Sequence, residues 1–251
     1  MNHYTLVDEQ FPEPGAMDTA VSHSILSAVS DGELGGIFRL YVPEPVVAFG
    51  LADRVAEGYR FAVRAARAHG FEAVERLAGG RAAVFHRSTI AFSWAVPDPE
   101  PRARIRERFD FIASIMVEAF ETLGIDARIG EIPGEYCPGD WSVNVGGRVK
   151  VMGVGQRLVR RAAHVGGVVV VDDAERIRDV LVPVYRSLRL DWDPRTAGAL
   201  ADRAPGIDIG SVTAAITEAF SSRIPLERGV LPAAVVDRAV GLVGHHLAEV
   251  A

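Results

Sequence analysis

Apolar positions recur at helical spacing from Met17 to Val29, with Ala20, Val21, Ile25 and Ala28 on one face, and Asp31-Gly32 supplies the stop. A short β-like opening, Tyr4 to Asp8, precedes this helix. The runs Ile37 to Val42 and Val46 to Phe49 are separated by Pro43 and Pro45 and predict two strands around a turn. Arg54 to His69 returns to helical period and stops at Gly70. Between Glu72 and Ala95 the pattern gives three strand candidates, broken by Gly79-Gly80 and by Arg87-Ser88-Thr89, which predicts a hairpin-rich sheet. A long helix is expected from about Arg102 to Leu123, ended by Gly124. Four β-rich runs follow, Trp141 to Val145, Val149 to Met152, Gln156 to Arg161 and Val165 to Val171, and predict a second sheet. Helical segments then occupy Ala174 to Leu188, Ser211 to Ser222 and Pro232 to Glu249, with a loop from Asp193 to Gly210. Strands in hairpins with helices before, between and after them predict an α+β fold with mixed or antiparallel sheets and flanking helices.

Composition narrows the functional classes. A chain of 251 residues, about half of them hydrophobic, can bury one sizeable core. The organisation expected is a main domain over residues 1–205 and a helical extension over 206–251 packed on it. The net charge of −6, with scattered basic residues, argues against nucleic acid as a partner. Met1 to Pro14 has no basic stretch leading into an apolar one, and no later apolar run is long enough for a membrane span. The expectation is a cytoplasmic protein with no membrane partner. One cysteine allows neither an internal disulfide nor a multi-cysteine zinc site, and no His, Cys, Asp or Glu spacing suggests a metal. Lysine occurs once, at Lys150, among 27 basic residues that are otherwise arginine. A position that stays lysine against that bias points to a need for a compact ammonium on a flexible stem, unless it is a surface survivor.

Two segments could carry chemistry. Arg76-Leu77-Ala78-Gly79-Gly80-Arg81 places two glycines between two arginines ahead of a strand that ends at His86. Glycines allow close backbone approach to a ligand and arginine offers a fork of donors; the alternative is a β-turn with solvated arginines. The segment Gly134 to Gln156 brings Cys137 and Lys150 within thirteen residues amid six glycines. A thiolate is the nucleophilic form of cysteine, and a neighbouring ammonium favours it, so the pair suggests acyl transfer through a thioester. Inert packing of Cys137 and a solvent-facing Lys150 are the competing readings. His86 and His164 flank apolar strands and read as hydrogen-bonded structural residues, while His245-His246 read as surface residues at a helix end.

Arg76, Gly79-Gly80-Arg81 and His86 together resemble the arginine, double-glycine and histidine motif of the lipoate-protein ligase and octanoyltransferase family. Gly147-Arg148-Val149-Lys150-Val151-Met152-Gly153 resembles the family's lysine motif, and Gln156-Arg157 and Ala163-His164-Val165-Gly166 its continuation. The resemblance covers roughly residues 4 to 200 and extends distantly to biotin ligases. It implies a biotin/lipoate protein ligase-like catalytic domain whose acyl chain lies beside the double-glycine strand. Lys150 and Cys137 would then be catalytic, and Arg76, Gly79, Gly80, Arg81, His86, Gly153, Gln156 and His164 would bind substrate. Lys150 would stabilise charge developing on the acyl carbonyl.

Family members are of two chemistries. Ligases activate lipoate with ATP and magnesium; transferases need no cofactor and move an octanoyl or lipoyl group through a cysteine thioester. Both deliver the group to a lysine of a lipoyl-domain protein, and transferases take it from an acyl carrier or lipoylated donor protein. Here Arg81 stands where ligases usually carry a third glycine, and Trp141-Ser142 stands near the place of their Asn-Asp pair. Cys137 with Trp141 resembles the cysteine loop of one transferase class. The expectation is therefore an acyltransferase, the alternatives being an ATP-dependent ligase and a non-catalytic acyl-binding module.

Overall fold

The computed structural model describes residues 4–11 and 14–249. Among these, the strands are β1 (Tyr4–Val7), β2 (Ile37–Tyr41), β3 (Val46–Phe49), β4 (Glu72–Glu75), β5 (Ala83–Phe85), β6 (Thr89–Pro97), β7 (Ala127–Ile129), β8 (Val143–Val145), β9 (Val149–Leu158), β10 (Ala162–Val170) and β11 (Leu226–Arg228). The helices are α1 (Ala16–Asp31), α2 (Leu51–Arg54), α3 (Tyr59–Ala68), α4 (Ile105–Thr122), α5 (Ala174–Leu188), α6 (Ile209–Ser221) and α7 (Ala233–His246). The fold is α+β, as the patterning predicts.

The strands divide between two sheets, but not as their order along the chain suggests. An eight-stranded sheet runs β11-β1-β2-β6-β10-β9-β8-β7, and a three-stranded one runs β4-β3-β5. β2 and β3 are not a hairpin: β2 pairs antiparallel with β6, whereas β3 pairs parallel with β4 and antiparallel with β5. The proline-flanked connection between them carries the chain from one sheet to the other. The run of strands after Trp141 is not a separate sheet either, because β10 pairs with β6 along its whole length, Ala162 opposite Pro97 to Val170 opposite Thr89. Gly153 and Gly155 do not break β9, which continues through both. The helix expected from Arg54 to His69 is interrupted between α2 and α3, around Gly58. β7 and β11 are additional to the expected elements, and β11 extends the sheet beyond β1 in parallel.

Burial follows the layers. One face of the large sheet, including Phe38, Phe92, Trp94 and Val165, packs under α4 and α6. The opposite face meets α1 and α7 through Ile37, Ala95 and Ala162. The small sheet packs α3 and α5 on one side through Val47, Phe49 and Val84, while Val46, Ala48 and Val74 face Ala16 and Leu247. The α1 helix ends where predicted: Gly32 adopts φ 79°, and its N–H returns to the last carbonyls of the helix. Of the two C-terminal histidines, one departs from the surface expectation. His245 is exposed, but His246 is 6% exposed, because its Nδ1 bonds Glu75 O at 2.9 Å and its Nε2 lies 3.0 Å from His23 Nδ1.

Phe220, from α6, ties several elements together. Its fully buried ring stacks on Phe38 at 4.0 Å and meets Tyr4, Trp94 and Phe111 edge-on. Replacing Phe220 by alanine is expected to destabilise the protein by about 3–5 kcal/mol, since both buried area and four ring contacts are lost. Urea unfolding monitored by fluorescence measures this, and a loss under about 1 kcal/mol would contradict the packing described.

Candidate active site

The loop between β7 and β8 carries Glu135, Tyr136 and Cys137, and its course is set by a lysine from β9. Lys150 is 1% exposed, so its ammonium is held entirely by protein atoms. Nζ donates to Glu135 Oε1 at 2.9 Å, Tyr136 O at 3.0 Å and Cys137 O at 2.7 Å, which accounts for all three protons. The Tyr136 ring also lies against the ammonium, 5.0 Å from Nζ to centroid. Glu135 is fixed in turn by Ser142 Oγ at 2.6 Å and Ile132 N at 3.1 Å. Gly153, on the same strand, makes room for the lysine stem: a Cβ there would stand 3.3 Å from Lys150 Cε. Lys150 therefore does not project into water, and the ammonium faces the loop backbone rather than the cysteine sulfur.

Cys137 is half-buried and has φ 44°, a left-handed conformation that a non-glycine residue adopts only under restraint. Both ends of the residue are held. Its carbonyl accepts from Lys150, and its N–H donates to Tyr185 Oη at 2.9 Å. The sulfur faces the double-glycine segment, where Arg81 N lies 3.2 Å and Arg76 Nη2 3.7 Å from Sγ. Gly80, at φ 106°, has to be glycine here, since a Cβ would strike the Arg76 guanidinium and come within 3.0 Å of Sγ. Arg76 Nη2 also bonds Gly79 O, whereas Arg76 Nε is buried and has no hydrogen-bond partner among the described residues.

Cys137 and Lys150 stand where two cavities meet. On one side a narrow, largely apolar cavity runs between the two sheets to α1, walled by Ala48, Ala83, Phe85, Phe92, Val154 and Val168, with Arg76, Gly153 and His164 also on its lining. On the other side an open cleft passes Gly79, Gly80, Gly139, Trp141 and Gln156 toward solvent. Trp141 forms part of its wall, stacked on Phe109 at 4.6 Å and bonded to Asp110 at 2.6 Å.

Of the residues singled out in the sequence, Arg76, Gly79, Gly80, Arg81, Gly153, Gln156 and His164 thus gather around the cysteine-lysine pair. The Gln156 amide is occupied by Arg108 Nε and Ile105 O, which leaves it a structural brace at the cleft edge. The Arg81 side chain turns outward to Asp53 and Ala52, and its backbone N–H is the part that reaches the sulfur. His86 lines neither cavity; it is buried at the β5–β6 turn, with Nδ1 accepting from Ser88 N. Glu135, Ser142 and Tyr185 complete the site without having been visible in the sequence, because each acts through a contact distant along the chain or inside an irregular loop. Among the described residues, no group of three or more His, Cys, Asp and Glu could hold a metal ion. No described helix is long and apolar enough to cross a membrane.

Two predictions follow from burial. Removing the lysine alone, as in Lys150→Met, leaves the Glu135 carboxylate buried and unpaired and is expected to cost about 3–5 kcal/mol, while Lys150→Met with Glu135→Gln recovers much of it. Equal losses in both variants by thermal unfolding would refute the pairing. Burial also pushes the imidazoles of His86 and His164 down to about 4. Between pH 6.5 and 4 the unfolded chain binds protons at these positions that the native state refuses. Stability is therefore complete above pH 6.5 and falls toward pH 4, by roughly 3 kcal/mol for each histidine. Denaturant titrations across that range should show a shallower decline in His164→Gln; an unchanged slope would contradict a buried neutral His164.

Similarity to known proteins identifies the family. Residues 14–221 match the family model for the lipoyl protein ligase A/B catalytic domain. The octanoyl-[GcvH]:protein N-octanoyltransferase of Geobacillus kaustophilus is 30% identical over 151 residues, covering 60% of this chain and 51% of that protein. The enzyme of the same name from Oceanobacillus iheyensis is 25% identical over 80% of this chain and 76% of its own. Against several such relatives the chain therefore spans only about half of their length. Two solved structures share the fold at 18% identity: a lipoate-protein ligase A bound with ATP, with a TM-score of 0.78 over 96% of this chain and 94% of its own, and the bi-partite lipoate protein ligase of Thermoplasma acidophilum, with a TM-score of 0.74 over 97% and 93%. With a family model spanning most of its length and a shared fold behind it, the chain belongs to the lipoyl protein ligase A/B catalytic-domain family.

Proposed function

We propose that the protein transfers a medium-chain acyl group, octanoyl or lipoyl, from a donor protein to a lysine of a lipoyl domain, by way of a thioester on Cys137. The observation that carries this reading is the place of Sγ, at the junction of a largely apolar cavity and a solvent-facing cleft and facing two N–H donors. The apolar cavity suits an acyl tail, and the cleft gives a protein-borne group access to the sulfur. The names of the relatives support the same chemistry, with an octanoyl or lipoyl group on GcvH as donor and a protein nitrogen as acceptor.

In this mechanism the Cys137 sulfur attacks the acyl carbon as its thiol proton passes to the donor's leaving atom, so a C–S bond forms and the bond between acyl carbon and donor breaks. The acceptor amine then attacks the thioester carbon, a C–N bond forms, the C–S bond breaks, and the proton lost by the amine returns to the sulfur. Arg81 N–H and the Arg76 guanidinium stabilise the charge on sulfur. Lys150 serves by holding the cysteine loop, since its three protons are already committed to Glu135, Tyr136 and Cys137. No cofactor is required.

Intact mass spectrometry after incubation with an octanoylated donor protein should reveal a hydroxylamine-sensitive octanoyl adduct in the wild type and none in Cys137→Ala. Transfer at the wild-type rate by Cys137→Ala would overturn the mechanism. Pyrophosphate release dependent on lipoate, with ATP and magnesium and without an adduct, would put the chain among the ligases instead.

A further inference from the structure

The Tyr185 hydroxyl makes two hydrogen bonds, one on each side of the reactive sulfur. It accepts from Cys137 N at 2.9 Å, and it donates to Ala82 O at 3.0 Å. Ala82 follows Arg81, whose N–H reaches Sγ at 3.2 Å. One hydroxyl thus joins the residue that carries the sulfur to the segment, just ahead of β5, that carries the sulfur's main-chain donor. The restraint is needed, because Cys137 at φ 44° lies in a region that L-residues leave unless held. Lys150 secures the carbonyl end of the residue, and Tyr185 secures the amide end.

We infer that Tyr185 is a positioning residue for acyl transfer: its hydroxyl holds Cys137 in the left-handed conformation that keeps Sγ against the Arg81 N–H. This assignment rests on the cysteine thioester reading. The tyrosine itself touches neither cavity, so it meets no substrate. It is 2% exposed on α5, its ring packed near Trp192 at 5.6 Å between centroids. Burial pushes the phenol well above its ordinary range, so the proton needed for the bond to Ala82 stays in place.

The test is Tyr185→Phe, which keeps the ring and removes only the oxygen. In single-turnover reactions with an octanoylated donor protein, the acylation rate of Cys137 is expected to fall tenfold or more while KM for the donor stays within twofold. Amide hydrogen exchange in the peptide containing Cys137 should quicken, with exchange in β9 and β10 unchanged. Ile177→Val provides the control for stability alone: it trims a buried side chain on the same helix, and its acylation rate should match the wild type. Acylation by Tyr185→Phe within twofold of wild type would overturn the assignment, as would an equal loss of rate in Ile177→Val. Full transfer by Cys137→Ala would instead remove the thioester reading, whereas an unchanged exchange rate at Cys137 in Tyr185→Phe would remove the positioning role alone.

Discussion

The site is organised by a charge placed where water does not reach. An ammonium in a protein interior is tolerated only if its protons are matched by acceptors and its charge by a counterion. Lys150 meets both conditions with three atoms from consecutive residues, the Glu135 carboxylate and the carbonyls of Tyr136 and Cys137. Because those acceptors belong to a loop with little regular hydrogen bonding of its own, satisfying the lysine also fixes the path of the loop. A planar guanidinium could not direct three protons at three acceptors clustered around one point, which is a physical reason for the single lysine in a chain that otherwise uses arginine.

The sheet provides space for this arrangement by omitting side chains. Gly155 of β9 stands opposite Gly166 of β10, with Gly167 one step and Gly153 two steps away along the ladder, opposite Val154 and Val168 respectively. At the facing pair Gly155 and Gly166 the backbone is bare. The double-glycine loop lies directly on it, since a Cβ on Gly155 would come within 3.0 Å of Gly79 O, and a Cβ on Gly166 would enter the His164 ring. Strands elsewhere in the same sheet, such as β2 and β6, carry Phe38, Leu40, Phe92 and Trp94 into the core. The contrast gives one sheet two functions: a packed side that supplies stability, and a stripped region where chain and ligand can approach the backbone.

How much of this was legible in the sequence depended on range. The α5 helix, Ala174–Leu188, was readable to the residue because period, N-terminal Asp173 and apolar face are local. Most strands were recognisable too, but their partners were not. The pairing of β2 with β6 and of β6 with β10 joins residues separated by whole helices, and the side-chain pattern of a strand does not state which neighbour it takes. β11 is three residues long in a polar stretch and gains its identity only from β1. At the site, glycines, cysteine and lysine stood out by type and rarity. Glu135 and Tyr185 did not, because a carboxylate in a loop and a tyrosine on an amphipathic helix look like solvated or core residues until the fold brings them to Cys137.

The positions of the charges also bear on how the two basic motifs divide their work. A thiolate is stabilised by donors aimed at sulfur, and those here come from the double-glycine segment, through Arg81 N–H and the Arg76 guanidinium. The lysine motif contributes from behind, through the backbone of the residue that bears the sulfur. Under the thioester mechanism proposed above, an ammonium facing Sγ directly would lose its counterion at the stage at which the sulfur carries an acyl group and no charge. Pairing the lysine with Glu135 instead keeps the interior charge balanced at every stage of that mechanism. On this reading, the loop geometry stays constant while the sulfur changes its charge, and only the donors at the mouth of the cavity respond to each step.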